Sequence, residues 1–239
     1  IENLVNRSKR GEMAASGKIS CGCGEVVLHL PNPRPKFRCG CCCSDCLQRA
    51  FIGARGKPRS EIAERLEPID LIYVDSVMFI PNDQTLDRLE VFRINDSEGD
   101  NISLRASCCG AVLCTENQQF HTPHSMATFT NLDPEVNCEF EALPQTSCHL
   151  FTCDWSEKGA NALAQKEVEL FEEARPQIFH PAKELQNPLV QALVTAFQLP
   201  AAHNSEQFTT FKQLREHMRV DVVDDYFDVS HEVFRLAQQ

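Results

Sequence analysis

No apolar run in this chain of 239 residues reaches the roughly 20 residues needed to cross a bilayer. A membrane-spanning helix is therefore not expected. The first fifteen residues are polar and charged (Glu2, Asn6, Arg7, Lys9, Arg10), which is the wrong character for a secretory signal. Basic residues are also scarce, with 23 Lys and Arg against 34 Asp and Glu and a formal charge of -11. A chain that makes many phosphate contacts shows the opposite balance. Neither nucleic acid nor an anionic membrane is expected as a partner, although a small anionic ligand in a locally basic pocket stays compatible. The sequence has no glycine-rich phosphate loop, no Ser/His/Asp motif, no internal repeat and no low-complexity tract.

What the chain does have is cysteine. Its thirteen cysteines are not spread out but bunched: Cys21 and Cys23, then Cys39, Cys41, Cys42, Cys43 and Cys46, then Cys108 and Cys109. Secreted disulfide frameworks are usually short chains with a signal. Bunching of this kind suits thiolates converging on a metal ion in a reducing, cytoplasmic compartment.

The length allows one large domain, or one domain with an appended element. After a polar arm, residues from about 15 to 150 are β-rich. Val26, Leu28 and Leu30 alternate with Val27 and His29, and Ile102, Leu104 and Ala106 alternate with Ser103, Arg105 and Ser107. Leu89 to Ile94 alternates in the same way, and Leu71 to Ile80 is a nearly continuous apolar run of β-formers. Turns are expected at Pro31-Asn32-Pro33 and Pro81-Asn82-Asp83. Residues 151–239 change to a helical period. One helix is expected from Ser156, with Leu163, Leu170, Phe171 and Ala174 on a face and Pro176 at its end. A second is capped by Asn187-Pro188, and a third opens at Ser205 and carries Phe208, Phe211, Leu214 and Met218. Their apolar stripes are packing faces, and they offer a surface for a homo-oligomer contact.

Each cysteine group has more than one chemical reading. In Cys21-Gly22-Cys23-Gly24 two thiolates can share an ion if the backbone bends at glycine, or they are two small buried hydrophobes at a turn. Cys41, Cys43 and Cys46 have a Cys-x-Cys-x-x-Cys spacing that sets three sulfurs around one tetrahedral ion. A fourth position is then left for water or a substrate thiolate. The alternative is a closed structural site with Cys39 or Cys42 as fourth ligand. Cys108-Cys109-Gly110 ends a strand and is the best candidate to close a four-cysteine site with Cys21 and Cys23. Adjacent side chains in extended chain point opposite ways, so both ligate only in a turn; a vicinal disulfide or a single ligand are the alternatives. His121 and His124 read as solvated or hydrogen-bonded, and Cys138, Cys148 and Cys153 as buried thiols.

Taken together, Gly17 to Gly24, Cys41 to Cys46, and Arg105 with Cys108, Cys109 and Gly110 resemble the CENP-V/GFA family, which includes the glutathione-dependent formaldehyde-activating enzyme. The resemblance covers residues 15 to about 135. It implies a mainly β fold, a β-tent zinc-binding domain, followed here by a helical C-terminal extension. It further implies two zinc ions, a structural one on Cys21, Cys23, Cys108 and Cys109 and a catalytic one on Cys41, Cys43 and Cys46. The implied activity is that of a carbon–sulfur lyase acting on a thiol–aldehyde adduct such as S-hydroxymethylglutathione, with glutathione as co-substrate. A non-catalytic, zinc-stapled protein-interaction module is the alternative. Three departures from the family pattern stand out: Cys42 where His is usual, Leu47 where a basic residue often follows, and Cys108 directly beside Cys109.

Overall fold

The alternating segments become strands because each has one side chain in two turned toward a core. A computed structural model describes residues 17–53, 68–94, 101–117, 124–152, 176–178, 180–200 and 209–223. The expected helix from Ser156 to Ala174 lies outside these residues, as do the polar arm, Ser205, Phe208, His121 and Cys153.

The chain is mainly β, as expected. In order, the strands are β1 (Gly17–Cys21), β2 (Val27–Leu30), β3 (Phe37–Cys41), β4 (Ile69–Asp75), β5 (Val77–Met78), β6 (Leu89–Ile94) and β7 (Asn101–Ala106). They continue as β8 (Val112–Asn117), β9 (Ser125–Phe129), β10 (Val136–Glu139), β11 (His149–Leu150), β12 (Gln177–Ile178), β13 (Thr209–Thr210) and β14 (Val220–Val223). Helices α1 (Ser44–Gly53), α2 (Asp83–Leu86), α3 (Pro188–Gln198) and α4 (Phe211–His217) lie between them. Among the described residues no helix is long and apolar enough to cross a membrane.

One nine-stranded sheet, in the order β12-β11-β3-β4-β9-β8-β7-β6-β14, divides the molecule. Its centre is antiparallel, while β11, β12 and β14 join in parallel at the two ends. Both of its faces are buried. Phe37, Cys39, Leu71, Tyr73, Phe92 and Phe129 face a core completed by α1 and by Val190, Leu193 and Phe197 of α3. Ile72, Val74, Val91, Leu104 and Met126 face the opposite core, completed by Phe211 and Leu214 of α4. Ile19, Leu28 and Leu30 of a small sheet ordered β10-β1-β2 also close that second core. Burial on both sides is why Leu71 to Val74 reads as an unbroken apolar run.

Two expectations are corrected here. The run from Leu71 to Ile80 is not one strand but two, broken at Ser76. There the Ser76 N–H donates to the His124 carbonyl at 3.1 Å and its hydroxyl to Glu116 at 2.6 Å. After the break, β5 leaves the large sheet and pairs with β13. The helix expected from Ser205 starts instead at Phe211. The Thr210 hydroxyl accepts from the Gln213 N–H at 3.1 Å while the Gln213 side chain accepts from Thr210 N–H, a reciprocal cap that outcompetes an earlier start. The Asn187-Pro188 start is as expected, with Asn187 accepting from the Leu189 N–H at 3.0 Å. The segment after residue 151 also supplies strands: β12 and β14 lie at the two edges of the nine-stranded sheet.

Candidate metal centres

The first group of sulfurs forms where two turns meet. β1 ends at Cys21, and a tight turn closed by Gly24 N–H to the Cys21 carbonyl (2.8 Å) brings Cys23 back beside it. From the far side of the chain, β7 ends at Ala106 and turns through Cys108 and Cys109, closed by Gly110 N–H to the Ala106 carbonyl at 2.8 Å. Gly24 and Gly110 hold φ of +79° and +82°, which L side chains rarely adopt, so both turns depend on glycine. The Sγ atoms of Cys21 and Cys23 are 3.4 Å apart, those of Cys23 and Cys108 3.4 Å, and those of Cys21 and Cys108 3.8 Å. Four sulfurs on one tetrahedral zinc sit about 3.8 Å apart, given Zn–S near 2.3 Å. The Val26 N–H donates to Cys21 Sγ at 3.3 Å. Cys109 completes the group, with all four sulfurs within 4.8 Å of one another. The backbone at Cys108 and Cys109 is a turn, the one geometry that lets adjacent side chains converge.

The second group is built from a strand, a link and a helix. Cys41 ends β3 and shares the sheet face of Cys39, while the Cys42 N–H is tied to the Leu150 carbonyl of β11 at 2.9 Å. The chain then turns directly into α1, a helix no sequence pattern announced. Cys46 to Ala50 contains neither proline nor a β-branched residue, and Asp45 sits in the first turn, where the helix dipole favours an anion. Cys41 and Cys43 Sγ are 3.3 Å apart, the Cys46 N–H donates to Cys43 Sγ at 3.4 Å, and the three sulfurs lie within 4.8 Å of one another. Cys39 and Cys42 are buried in the same core but belong to neither sulfur group.

The two groups differ in exposure and in charge. Cys23 and Cys108 are exposed, whereas Cys41 and Cys46 are buried and only Cys43 is partly open. Hydrogen bonds from Cys41 and then Cys43 hold the Cys46 thiol well below the ordinary thiol range, with the Arg49 guanidinium adding to the effect. The same bonds, with Cys43 first and burial behind them, push Cys41 up. In the other group Cys23 is lowered: burial opposes the shift, and the sulfur contacts from Cys21 and Cys108 overcome it.

All seven cysteines expected to bind metal therefore fall into the two expected groups, and both groups can hold a metal ion. The described cysteines are free thiols. Cys148 is buried as expected, while Cys138 is only partly buried, 3.6 Å from the Thr128 hydroxyl. His124 is half-buried, and its carbonyl accepts from Lys36 Nζ at 2.9 Å. Sequence reasoning missed Arg49, fully buried on α1, whose Nε donates to Ser103 Oγ at 2.8 Å. A lone basic residue three places past Cys46 was the available signal. No protein-family model matches this chain, and neither the curated proteins nor the solved structures show a significant match to it.

Proposed function

We propose that this chain is a zinc-dependent carbon–sulfur lyase of the CENP-V/GFA type, with a β-tent domain, acting on a thiol–aldehyde adduct such as S-hydroxymethylglutathione. The observation that carries the reading is the inequality of the two sulfur groups: four convergent sulfurs in one, three in the other. Four thiolates saturate a tetrahedral ion and make a structural site, whereas three leave a position for a reactant. Cys21, Cys23, Cys108 and Cys109 would hold the structural zinc, and Cys41, Cys43 and Cys46 the catalytic one. A zinc ion there supplies Lewis acidity and stabilises the substrate sulfur as thiolate at neutral pH.

The chain's own residues set the rest. Cys43 is the open side of the triplet, so the adduct approaches there. As the carbon–sulfur bond breaks, its electron pair goes to sulfur, the hydroxyl proton leaves and the carbonyl of the aldehyde forms. Asp45, in the first turn of α1 and next to Cys46 in sequence, is the carboxylate we assign to take that proton. A cytoplasmic, reducing setting keeps the sulfurs available.

The competing reading, a zinc-stapled protein-interaction module, is favoured by the two further buried cysteines, Cys39 and Cys42, packed in the same core as the triplet. A shift of either onto the ion would close the site. Metal analysis with thiol titration of the cobalt-substituted protein separates the two. Two metals per chain are expected, with one changing its visible spectrum on added thiol and the other not. Two metals that both ignore thiol would establish the module; no bound metal would end both readings.

A further inference from the structure

The four-sulfur group is unevenly covered. Cys21 is 0% exposed and Cys109 half-buried, whereas Cys23 and Cys108 stand exposed with their Sγ atoms 3.4 Å apart. These two sulfurs come from turns 85 residues apart along the chain. Arg88 ties the turns together next to each sulfur. Its guanidinium pairs with Glu25, just past Cys23, and its carbonyl accepts from the N–H of Ser107, the residue before Cys108, at 2.8 Å. The sulfur contact therefore has a support of its own that does not depend on a bound ion. The other group offers no exposed pair: Cys41 and Cys46 are 3% and 5% exposed, and only Cys43 is partly open.

Two sulfurs that are exposed, in contact and held there by the backbone meet the needs of dithiol oxidation, which follows access and the proximity of a resolving thiol. We infer that Cys23 and Cys108 form a peroxide-reactive pair whose closure to a disulfide releases the ion held by the four-sulfur group. The Cys23 sulfur attacks a peroxide oxygen: an S–O bond forms, the O–O bond breaks and one water leaves. The Cys108 sulfur then attacks Cys23, forming the S–S bond and expelling that oxygen as a second water. The two sulfurs give two electrons to the peroxide, and two protons depart in the waters. Cys21 is the poorer partner for Cys23, although it too lies 3.4 Å away. It is sealed from solvent, its sulfur accepts from the Val26 N–H, and the bond would have to close over a single residue. Once Cys23 and Cys108 are bonded, only Cys21 and Cys109 remain, too few for an ion that takes four ligands. The inference rests on the proposed function for the identity of that ion, and on geometry alone for the sulfur pair.

The test treats the full chain, as purified, with hydrogen peroxide at neutral pH. A colorimetric chelator follows zinc release against a sample without peroxide. Aliquots are alkylated and digested without reductant, so that mass spectrometry locates each disulfide. The expected result is a Cys23–Cys108 cross-link that appears before any bond among Cys41, Cys43 and Cys46, in step with release of about one zinc ion per chain. Dithiothreitol with fresh zinc should reverse both changes. Because the cross-link closes a long loop, the oxidised protein should also melt above reduced protein stripped of metal. Absence of the Cys23–Cys108 cross-link, first bonds formed within the triplet, or a cross-linked protein that keeps one zinc ion on each sulfur group would overturn the inference. A protein that purifies with fewer ions than its two sulfur groups, and cross-links without releasing any, had an empty four-sulfur group. The zinc assignment there then falls, and the peroxide-reactive pair stands.

Discussion

Replacing Lys36 by Met should destabilise the protein by about 3–5 kcal/mol, the range for stranding one member of a buried ion pair. Lys36 Nζ lies 2.8 Å from Asp75 Oδ1, with the two side chains only 5% and 1% exposed. The ammonium group also donates to the His124 carbonyl at 2.9 Å, the Ser125 hydroxyl at 3.1 Å and the Leu199 carbonyl at 2.9 Å. Met fills the volume of the stem but supplies no charge, so Asp75 keeps a buried negative charge without this partner. The Leu199 contact matters for the site. It fastens the end of α3, whose Phe197 ring packs edge-on against Tyr73 at 4.7 Å over the same core as the cysteine triplet. With a urea slope of about 3 kcal/mol/M for a chain of this size, the unfolding midpoint should fall by about 1–1.7 M. The assay is equilibrium urea unfolding of the metal-loaded protein, followed by circular dichroism. Adding Asp75→Asn to Lys36→Met removes the stranded charge and should recover at least half of the loss. A single-variant loss under about 1 kcal/mol, or a double variant no better than the single, would refute the reasoning.

Cys21→Ser should unfold the protein or strip its first metal, because a structural ion contributes folding free energy directly. Cys46→Ser should keep most of the thermal stability but abolish the thiol response of the cobalt spectrum; equal melting temperatures for the two variants would contradict the division of roles. Gln48 is 2% exposed and neither of its amide atoms has a hydrogen-bond partner, so Gln48→Met, close in volume, should stabilise by about 1–2 kcal/mol in urea unfolding. A destabilised Gln48→Met would mean that the amide has a role the fold does not reveal. Asn187→Ala removes the α3 cap and should lower stability by about 1 kcal/mol, read as a fall in melting temperature. No change would mean that Pro188 alone sets the start of the helix.

Local order was legible in the residues themselves. The strand ending at Ala106 follows from alternation, because side chains on a strand point to opposite faces and only the Ile102, Leu104 and Ala106 face was apolar, while Leu89 to Ile94 was legible as a run of β-formers. The Asn187-Pro188 cap was legible because its hydrogen bond is made within three residues. So was the grouping of the triplet, since Cys41, Cys43 and Cys46 span six residues and any tight strand-to-helix turn gathers them. Where the signal failed, a long-range partner had decided. The apolar run from Leu71 to Ile80 gave no sign of its break at Ser76, because the break is set by the His124 carbonyl and Glu116, both far along the chain. Whether adjacent Cys108 and Cys109 could both face Cys21 depended on a turn that only the register of β7 on β8 and the positive φ of Gly110 produce. Arg49 meets Ser103 because α1 crosses the face of β7 there, and a contact between residues 54 apart leaves no trace in local periodicity. The sequence by itself determined which residues could bind a metal and, by spacing, which three of them lie together near α1; the pairing of strands decided that Cys108 and Cys109 meet Cys21 and Cys23, because bringing together sulfurs that stand far apart along the chain is a property of sheet register.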